Sequence, residues 1–396
     1  MSALAHLKVL DLSRVLAGPW ASQVLADLGA EVIKVERPGV GDDTRSWGPP
    51  FLKDNEGNDT AESAYFLCTN RGKQSVCIDM KSPEGQEAIR QIADQCDVVL
   101  ENFKVGGAAK FGLDYDTLAA RNPGLVYCSI TGFGQTGPDR NRPGYDFLVQ
   151  AMGGLMSVTG QPDGEPGAGP QKIGVALTDI MTGLYATIGI LAALTERQRS
   201  GLGQMVDLAL LDVTAATLAN QASNYLVGGV VPGRLGNAHP NIVPYQSFVA
   251  SDGHIIVAVG NDSQFGRFVT ELGCPELAGD SRFVTNRARV QNREALIPLL
   301  QARMLLRSKA AWLEALEAVQ VPAGPINNVA EVFAEPQIQA RNMLVKVPHT
   351  ENSELTLVGN PINLSRTPVE YSRPPPTLGQ HTQSVLADLA AGTLFD

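Results

Sequence analysis

Residues 7–38 constrain this chain more than any other stretch. Leu7-Lys-Val-Leu-Asp-Leu12 alternates as a strand does. Ser13-Arg-Val-Leu-Ala-Gly-Pro19 reads as a loop, and Trp20 to Leu28 as a helix closed by Gly29. Glu31-Val-Ile-Lys-Val35 is a second strand, ending at Glu36-Arg37-Pro38-Gly39. Strand, Gly-Pro turn, helix and strand within ~30 residues form a βαβ unit, whose strands lie parallel in one sheet. The unit lacks GxGxxG, so the dinucleotide fingerprint is absent. Ala17-Gly18-Pro19 would still let a ligand approach the helix start, although Pro near the first helical position is also ordinary helix grammar.

The same alternation continues. Ser75–Asp79, Asp97–Glu101, Leu125–Ile130 and Gln204–Leu211 read as strands, and Ser82–Gln95 and Tyr115–Ala120 as helices. This predicts an open, doubly wound, Rossmann-like α/β sheet. Ligands of such sheets bind outside the carboxyl ends of the strands. The candidate loops are therefore Ser13–Gly18, Glu36–Gly41, Glu101–Val105 and Thr131–Asp146. Gly41 to Asp59 is polar and turn-rich, and is expected as a long surface excursion. Beyond residue 228 the grammar changes. Pro244–Ser251 and His254–Val259 flank an Asp252-Gly253 turn, a strong hairpin signal, and two helices follow. The expected division is 1–227 as the first part of the large α/β domain, 228–325 as a smaller α+β domain, and 326–396 as a segment returning to the large domain. Arg373-Pro-Pro-Pro376 within that last segment reads as an extended tether.

A net charge of −10 argues against nucleic-acid binding. It leaves room for a small anion, because Arg14, Lys34, Arg37, Arg71, Lys73, Lys104 and Lys110 fall near predicted strand ends or loops. No run reaches ~18 apolar residues, so no membrane span is expected. Five scattered cysteines without a CxxC pair suggest reduced thiols and a cytoplasmic protein. Five histidines without HxH or HExxH spacing predict no metal site. Neither a P-loop nor a GxSxG elbow is present.

Asp179 stands out. It follows a Gly/Pro-rich loop (Gly160 to Gly169) and precedes the apolar run Leu184–Leu194, which ends in Glu196-Arg-Gln-Arg199 and Gly201. That pattern marks a helix, and Asp179 or Thr178 would serve as its N-cap. The alternative is a carboxylate held anionic at a helix N-terminus and used as a nucleophile.

Several motifs together resemble the class III CoA-transferases, the CaiB/BaiF or formyl-CoA transferase family. They are Val15-Leu-Ala-Gly-Pro19, Gly29–Pro38, Gly41-Asp-Asp-Thr-Arg45, Asn70-Arg-Gly-Lys73, Glu101-Asn-Phe103, Gly132–Pro138, Gly144-Tyr-Asp146 and Leu378-Gly-Gln-His381. The resemblance covers nearly the whole chain. It is greatest to the succinate–hydroxymethylglutarate (succinyl-CoA:glutarate) branch, on Glu36–Pro50, Ile242–Phe248 and Gly324–Asn328.

The resemblance implies an interlocked homodimer and coenzyme A or acyl-CoA as substrate, with no tightly bound cofactor. The second substrate would be a small carboxylic acid, a dicarboxylate such as glutarate. It makes Asp179 the catalytic nucleophile. It places Val15, Leu16, Arg37, Asn70, Arg71, Lys73, Asn102, Phe103, Lys110 and Tyr145 at CoA or acyl contacts. Lys110 stands where formyl-CoA transferase has an Arg, keeping the charge but losing the bidentate fork; Leu16 stands where it has a Gln, which disfavours an oxalate/formyl reading. Racemases of the family resemble a Gly-His-Asp pattern, whereas Tyr145 stands in the His position here. A Tyr is poorly suited to proton shuttling near neutrality, which argues against racemisation. Arg45, Arg234 and His239 are candidates for the distal carboxylate of a dicarboxylate.

Overall fold

The computed structural model describes residues 2–395. The chain divides into two compact units. One holds the residues up to Leu155, Ile173–Ala222 and those from Pro336 onward; the other holds Met156–Lys172 and Ser223–Glu335. The Gly/Pro-rich loop before Asp179 thus belongs to the second unit, apart from the sequence that flanks it.

The first unit is built on a six-stranded sheet. Numbering its strands alone, they are β1 (Lys8–Asp11), β2 (Glu31–Glu36), β3 (Lys73–Cys77), β4 (Val98–Glu101), β5 (Val126–Thr131) and β6 (Met205–Ala209). Their spatial order is β3-β2-β1-β4-β5-β6, and every pairing is parallel. This is the order of dinucleotide-binding sheets, with the direction of winding reversing between β1 and β4. Along each strand successive side chains face opposite ways. Val9, Val32, Val98 and Val126 pack against α1 (Ala17–Asp27) and the long helix over Leu177–Ser200, while Leu10, Ile33, Val76 and Val99 pack against the helix over Pro83–Asp94. Both faces are covered, which explains near-continuous apolar strands.

Local grammar accounts for many boundaries. Ser82 accepts from the Gly85 N–H and Pro83 opens the next helix. Gly201, with φ of 76°, closes the long helix. After β6 come two helices, Leu210–Thr217 and Ala219–Gly228, broken where Ala219 takes φ of 45°.

The predicted surface excursion 41–59 is more ordered than expected. It holds a 3-10 turn, Asp43–Ser46, and a hairpin of Phe51–Lys53 with Asp59–Ser63. The turn buries Arg45 between Glu36 and Glu62. The C-terminal segment lies along β3, where the Ser75 N–H donates to His381 Nδ1, the His381 N–H donates to the Ser75 carbonyl, and the Cys77 N–H donates to Thr382 Oγ1. The edge strand is therefore protected.

The second unit carries a three-stranded antiparallel sheet of Ala323–Pro325, Gly253–Ala258 and Tyr245–Ala250. Phe248, Ile255, Phe265, Phe268, Leu300 and Trp312 fill its core.

Candidate active site

The carboxyl ends of β1 to β4 enclose a cavity of about 350 Å³. Leu12, Val35, Met80, Phe103 and Phe111 supply apolar wall, and Arg14, Arg37 and Lys81 supply cations. Three of the four expected loops contribute; the fourth contributor, Asp79–Lys81 after β3, was not among the expected loops. Its signal was present, since Asp79 ends a predicted strand. Arg37 is exposed and pairs with Asp43, which also pairs with Arg14. Lys110 is exposed on the short turn Ala109–Phe111 beside this cavity wall.

Asn102 lies at the switch between β1 and β4. Its side chain accepts from the Arg14 N–H at 2.9 Å and donates to the Arg14 carbonyl at 2.7 Å. It acts as a strand partner for the loop after β1. Val15 follows with φ of 72°, and Leu16 is the buried N-cap of α1.

Asn70, Arg71 and Lys73 do not reach this cavity. Lys73 has no exposed surface and donates to Asp11 at 3.1 Å, the Pro19 carbonyl at 3.0 Å and Asn70 at 2.9 Å. All three ammonium hydrogens are therefore spent. Arg71 is buried against Asp27 at 2.6 Å and the Val358 carbonyl. Asn70 is buried against the Phe66 carbonyl. A motif rich in cations holds α1 and the C-terminal segment rather than presenting charge to solvent.

Arg45 is also removed as a binder of a distal carboxylate. It contacts both oxygens of Glu36 at 2.8 Å, reaches Glu62 at 2.9 Å, and lies over the Phe66 ring. Arg234 is paired with Asp163 and the Gln161 carbonyl. His239 accepts from the Asn241 N–H at Nδ1, and burial followed by the nearby Arg293 charge lowers its pKa.

Asp179 is the third residue of the helix over Leu177–Ser200, whose N-cap is Ala176. The expectation that Asp179 or Thr178 caps this helix is not met. Asp146 caps it from outside: its Oδ1 accepts the Thr178 N–H at 2.8 Å and the Asp179 N–H at 3.4 Å. Gln150, fully buried, donates to Asp146 Oδ2 at 2.7 Å and accepts from the Ile173 N–H at 2.9 Å. The triplet Gly144-Tyr-Asp146 gives no local sign of this role for Asp146, because its partners lie 32 and 33 residues further on.

This arrangement also reverses the expected electrostatics. Among the described residues no side chain or N–H donates to the Asp179 carboxylate. Burial, and then the neighbouring Asp146 charge, push its pKa up to about 7. The helix terminus does not hold it anionic, because Asp146 has taken the N–H groups. A carboxylate of raised pKa is a stronger base and, when ionised, a stronger nucleophile. Tyr65, in a T-shaped contact with Trp47 at 5.2 Å, is nearby in the field: burial and then Asp179 push its hydroxyl up to about 12. Tyr65 therefore stays protonated, a donor rather than a base. Tyr145 is 67% exposed at the start of the helix over Asp146–Met152.

Gly183, one turn beyond Asp179, connects these parts. A Cβ there would lie 2.6 Å from the Ala17 carbonyl oxygen and 3.0 Å from Trp20 Cβ. Residues four apart share a helix face. The start of α1, which follows the cavity loop, is thus packed on the face that carries Asp179.

Comparison with known proteins agrees with this architecture. Residues 4–382 match the model of CoA-transferase family III. The chain is 51% identical over 386 residues to a succinate–glutarate CoA-transferase of Agrobacterium fabrum, covering 98% of this chain and 95% of that one. It is 44% identical over 386 residues to the human succinyl-CoA:glutarate CoA-transferase, covering 98% and 86%. A crystal structure of a CaiB/BaiF family protein from Brucella suis superposes with a TM-score of 0.85 at 51% identity, covering 98% and 99%. The chain belongs to CoA-transferase family III.

Proposed function

We propose that this enzyme moves CoA from succinyl-CoA to glutarate, with Asp179 as the covalent relay. The observation that carries the mechanism is an undonated Asp179 carboxylate, raised in basicity by burial and then by Asp146, beside the start of α1. The choice of substrates rests on the relatives named above.

The CoA nucleotide occupies the cavity at the ends of β1 to β4, its base against Phe103 and Met80 and its phosphates toward Arg14, Arg37 and Lys81. Ionised Asp179 attacks the thioester carbonyl. The C–S bond breaks, leaving a mixed anhydride and CoA thiolate. The thiolate attacks the aspartyl carbonyl, expels succinate and forms an aspartyl thioester. A glutarate carboxylate attacks that carbonyl and expels the thiolate, giving a second anhydride. The thiolate then attacks the glutaryl carbonyl and restores the Asp179 carboxylate. No net proton is consumed. The chain contributes position, oxyanion donors and exclusion of water. Tyr65, protonated and within the field of Asp179, is suited to the donor role.

An exposed apolar surface supports a homodimer; that it is interlocked is what the family resemblance implies. Tyr145, Phe147, Leu148 and Met152 on one helix and Tyr185 and Ile188 on the next are all at least 40% exposed. Five free thiols suit a reducing compartment, the cytoplasm.

Asp179→Ala tests the mechanism. It should abolish glutaryl-CoA formation from succinyl-CoA and glutarate while retaining CoA binding. Transfer near the wild-type rate would refute the covalent role. Deuterium wash-in at the α-carbon of an acyl-CoA without acceptor acid would redirect the reading to isomerisation.

A further inference from the structure

We infer that Asp42 is a positioning residue for acyl transfer: its carboxylate holds Val15 in a left-handed conformation and so sets the start of α1 against the helix carrying Asp179. The inference rests on the proposed role of Asp179.

Val15 is the one β-branched residue with positive φ among the described residues, at 72°. Branched side chains rarely adopt this region, and such residues persist only where their surroundings over-determine them. Here the surroundings do. The Val15 N–H donates to both Asp42 oxygens, at 3.2 and 3.3 Å. Asp42 is itself immobile. It is 2% exposed, pairs with Lys34 at 2.9 Å, and accepts from the Thr44 N–H at 3.0 Å and the Thr44 hydroxyl at 2.8 Å. Its own N–H donates to Glu36 at 2.9 Å. Lys34 also donates to the Ser13 carbonyl at 2.8 Å, so one buried ion pair grips the loop on both sides of Arg14.

The grip is transmitted. Leu16 is the N-cap of α1 and makes no side-chain cap bond, so the entry direction of the helix is set by the residue before it. The Ala17 carbonyl then meets Gly183, one turn from Asp179. Relaxing Val15 to negative φ would turn the chain as it enters α1 and lift Ala17 from Gly183. Asp42 also borders the cavity, so one carboxylate touches both the nucleotide's place and the backbone leading to the nucleophile.

The test is a double-mutant cycle of Asp42→Ala with Val15→Gly, read as kcat and KM in the succinyl-CoA to glutarate assay, with thermal unfolding alongside. Glycine adopts positive φ without strain. Removing Asp42 should therefore lower kcat about 10- to 100-fold when Val15 is present, and at least fivefold less when residue 15 is glycine, each measured against its own background. Equal losses in the two backgrounds, or an undiminished kcat in Asp42→Ala, would overturn the inference. A merely structural role would lower the unfolding temperature without this kcat rescue. If Asp42→Ala does not fold, Asp42→Ser, which can still cap the turn at Thr44, enters the same cycle with the same criterion. Asp179→Ala in parallel separates the two claims: if it retains transfer, the nucleophile assignment fails whatever the cycle gives.

Discussion

Replacing Gly183 with alanine should impair transfer far more than stability. A Cβ at this position would lie 2.6 Å from the Ala17 carbonyl oxygen, 3.0 Å from Trp20 Cβ and 3.1 Å from Trp20 Cδ1. None of these atoms is the far end of a flexible side chain, so the two helices must separate. Reaching an ordinary contact of 3.4 Å requires about 0.8 Å of movement between α1 and the helix carrying Asp179. Overpacking costs about 1–3 kcal/mol, and the helix propensity of alanine over glycine returns about 1 kcal/mol. The net destabilisation is then about 0–2 kcal/mol, a shift of several degrees at most. Misplacement of reacting groups by about 1 Å costs on the order of 100-fold in rate. The assay is succinyl-CoA with glutarate, products resolved by chromatography, alongside thermal unfolding. Gly189→Ala is the control, since its Cβ would meet only a Val206 methyl, at 2.8 Å, away from the start of α1. It should stay within about threefold of wild type. Wild-type kcat in Gly183→Ala, or equal losses in both variants, would refute the link between helix contact and chemistry.

Other consequences can be checked in the same assays. With Asp179 raised to about 7, kcat/KM should fall tenfold per unit as pH drops below about 7 and level off above it; a flat profile from pH 5 to 8 would contradict the assigned acidity. Because that pKa lies above the unfolded value of 3.8, the native state binds the extra proton, and ionising Asp179 reduces stability progressively between pH 4 and 7. Asp179→Asn should therefore unfold a few degrees higher than wild type at pH 8, about 1–2 kcal/mol after allowance for partial exposure, and no higher at pH 4. Arg45→Met should destabilise by about 3–5 kcal/mol through the stranded Glu36 and Glu62 charges, without a selective rise in the KM for glutarate; a selective rise would return Arg45 to the substrate site.

What was legible in advance was local. The βαβ opening, the Ser82 cap, the Gly201 stop and the Asp252-Gly253 hairpin each depend on neighbours a few residues away, so pattern and propensity suffice. The parallel strand ends pointed to the cavity loops, and the resemblance singled out Asp179 as the nucleophile. Long-range charge pairing was not legible. Lys73 and Arg71 look like ligand-binding cations until the fold shows Asp11 and Asp27 against them, 62 and 44 residues earlier. Arg45 in a polar stretch looks solvated until Glu36 and Glu62 close around it.

The same distinction governs the nucleophile. Sequence by itself determined that a carboxylate stands in the first turn of a long helix. Only the tertiary structure decided that Asp146 takes the free N–H groups of that turn and leaves Asp179 undonated, half-buried and hard to ionise. The physical reason is that a carboxylate's acidity is set by what surrounds it in space, and Asp146 reaches the helix from more than 30 residues away.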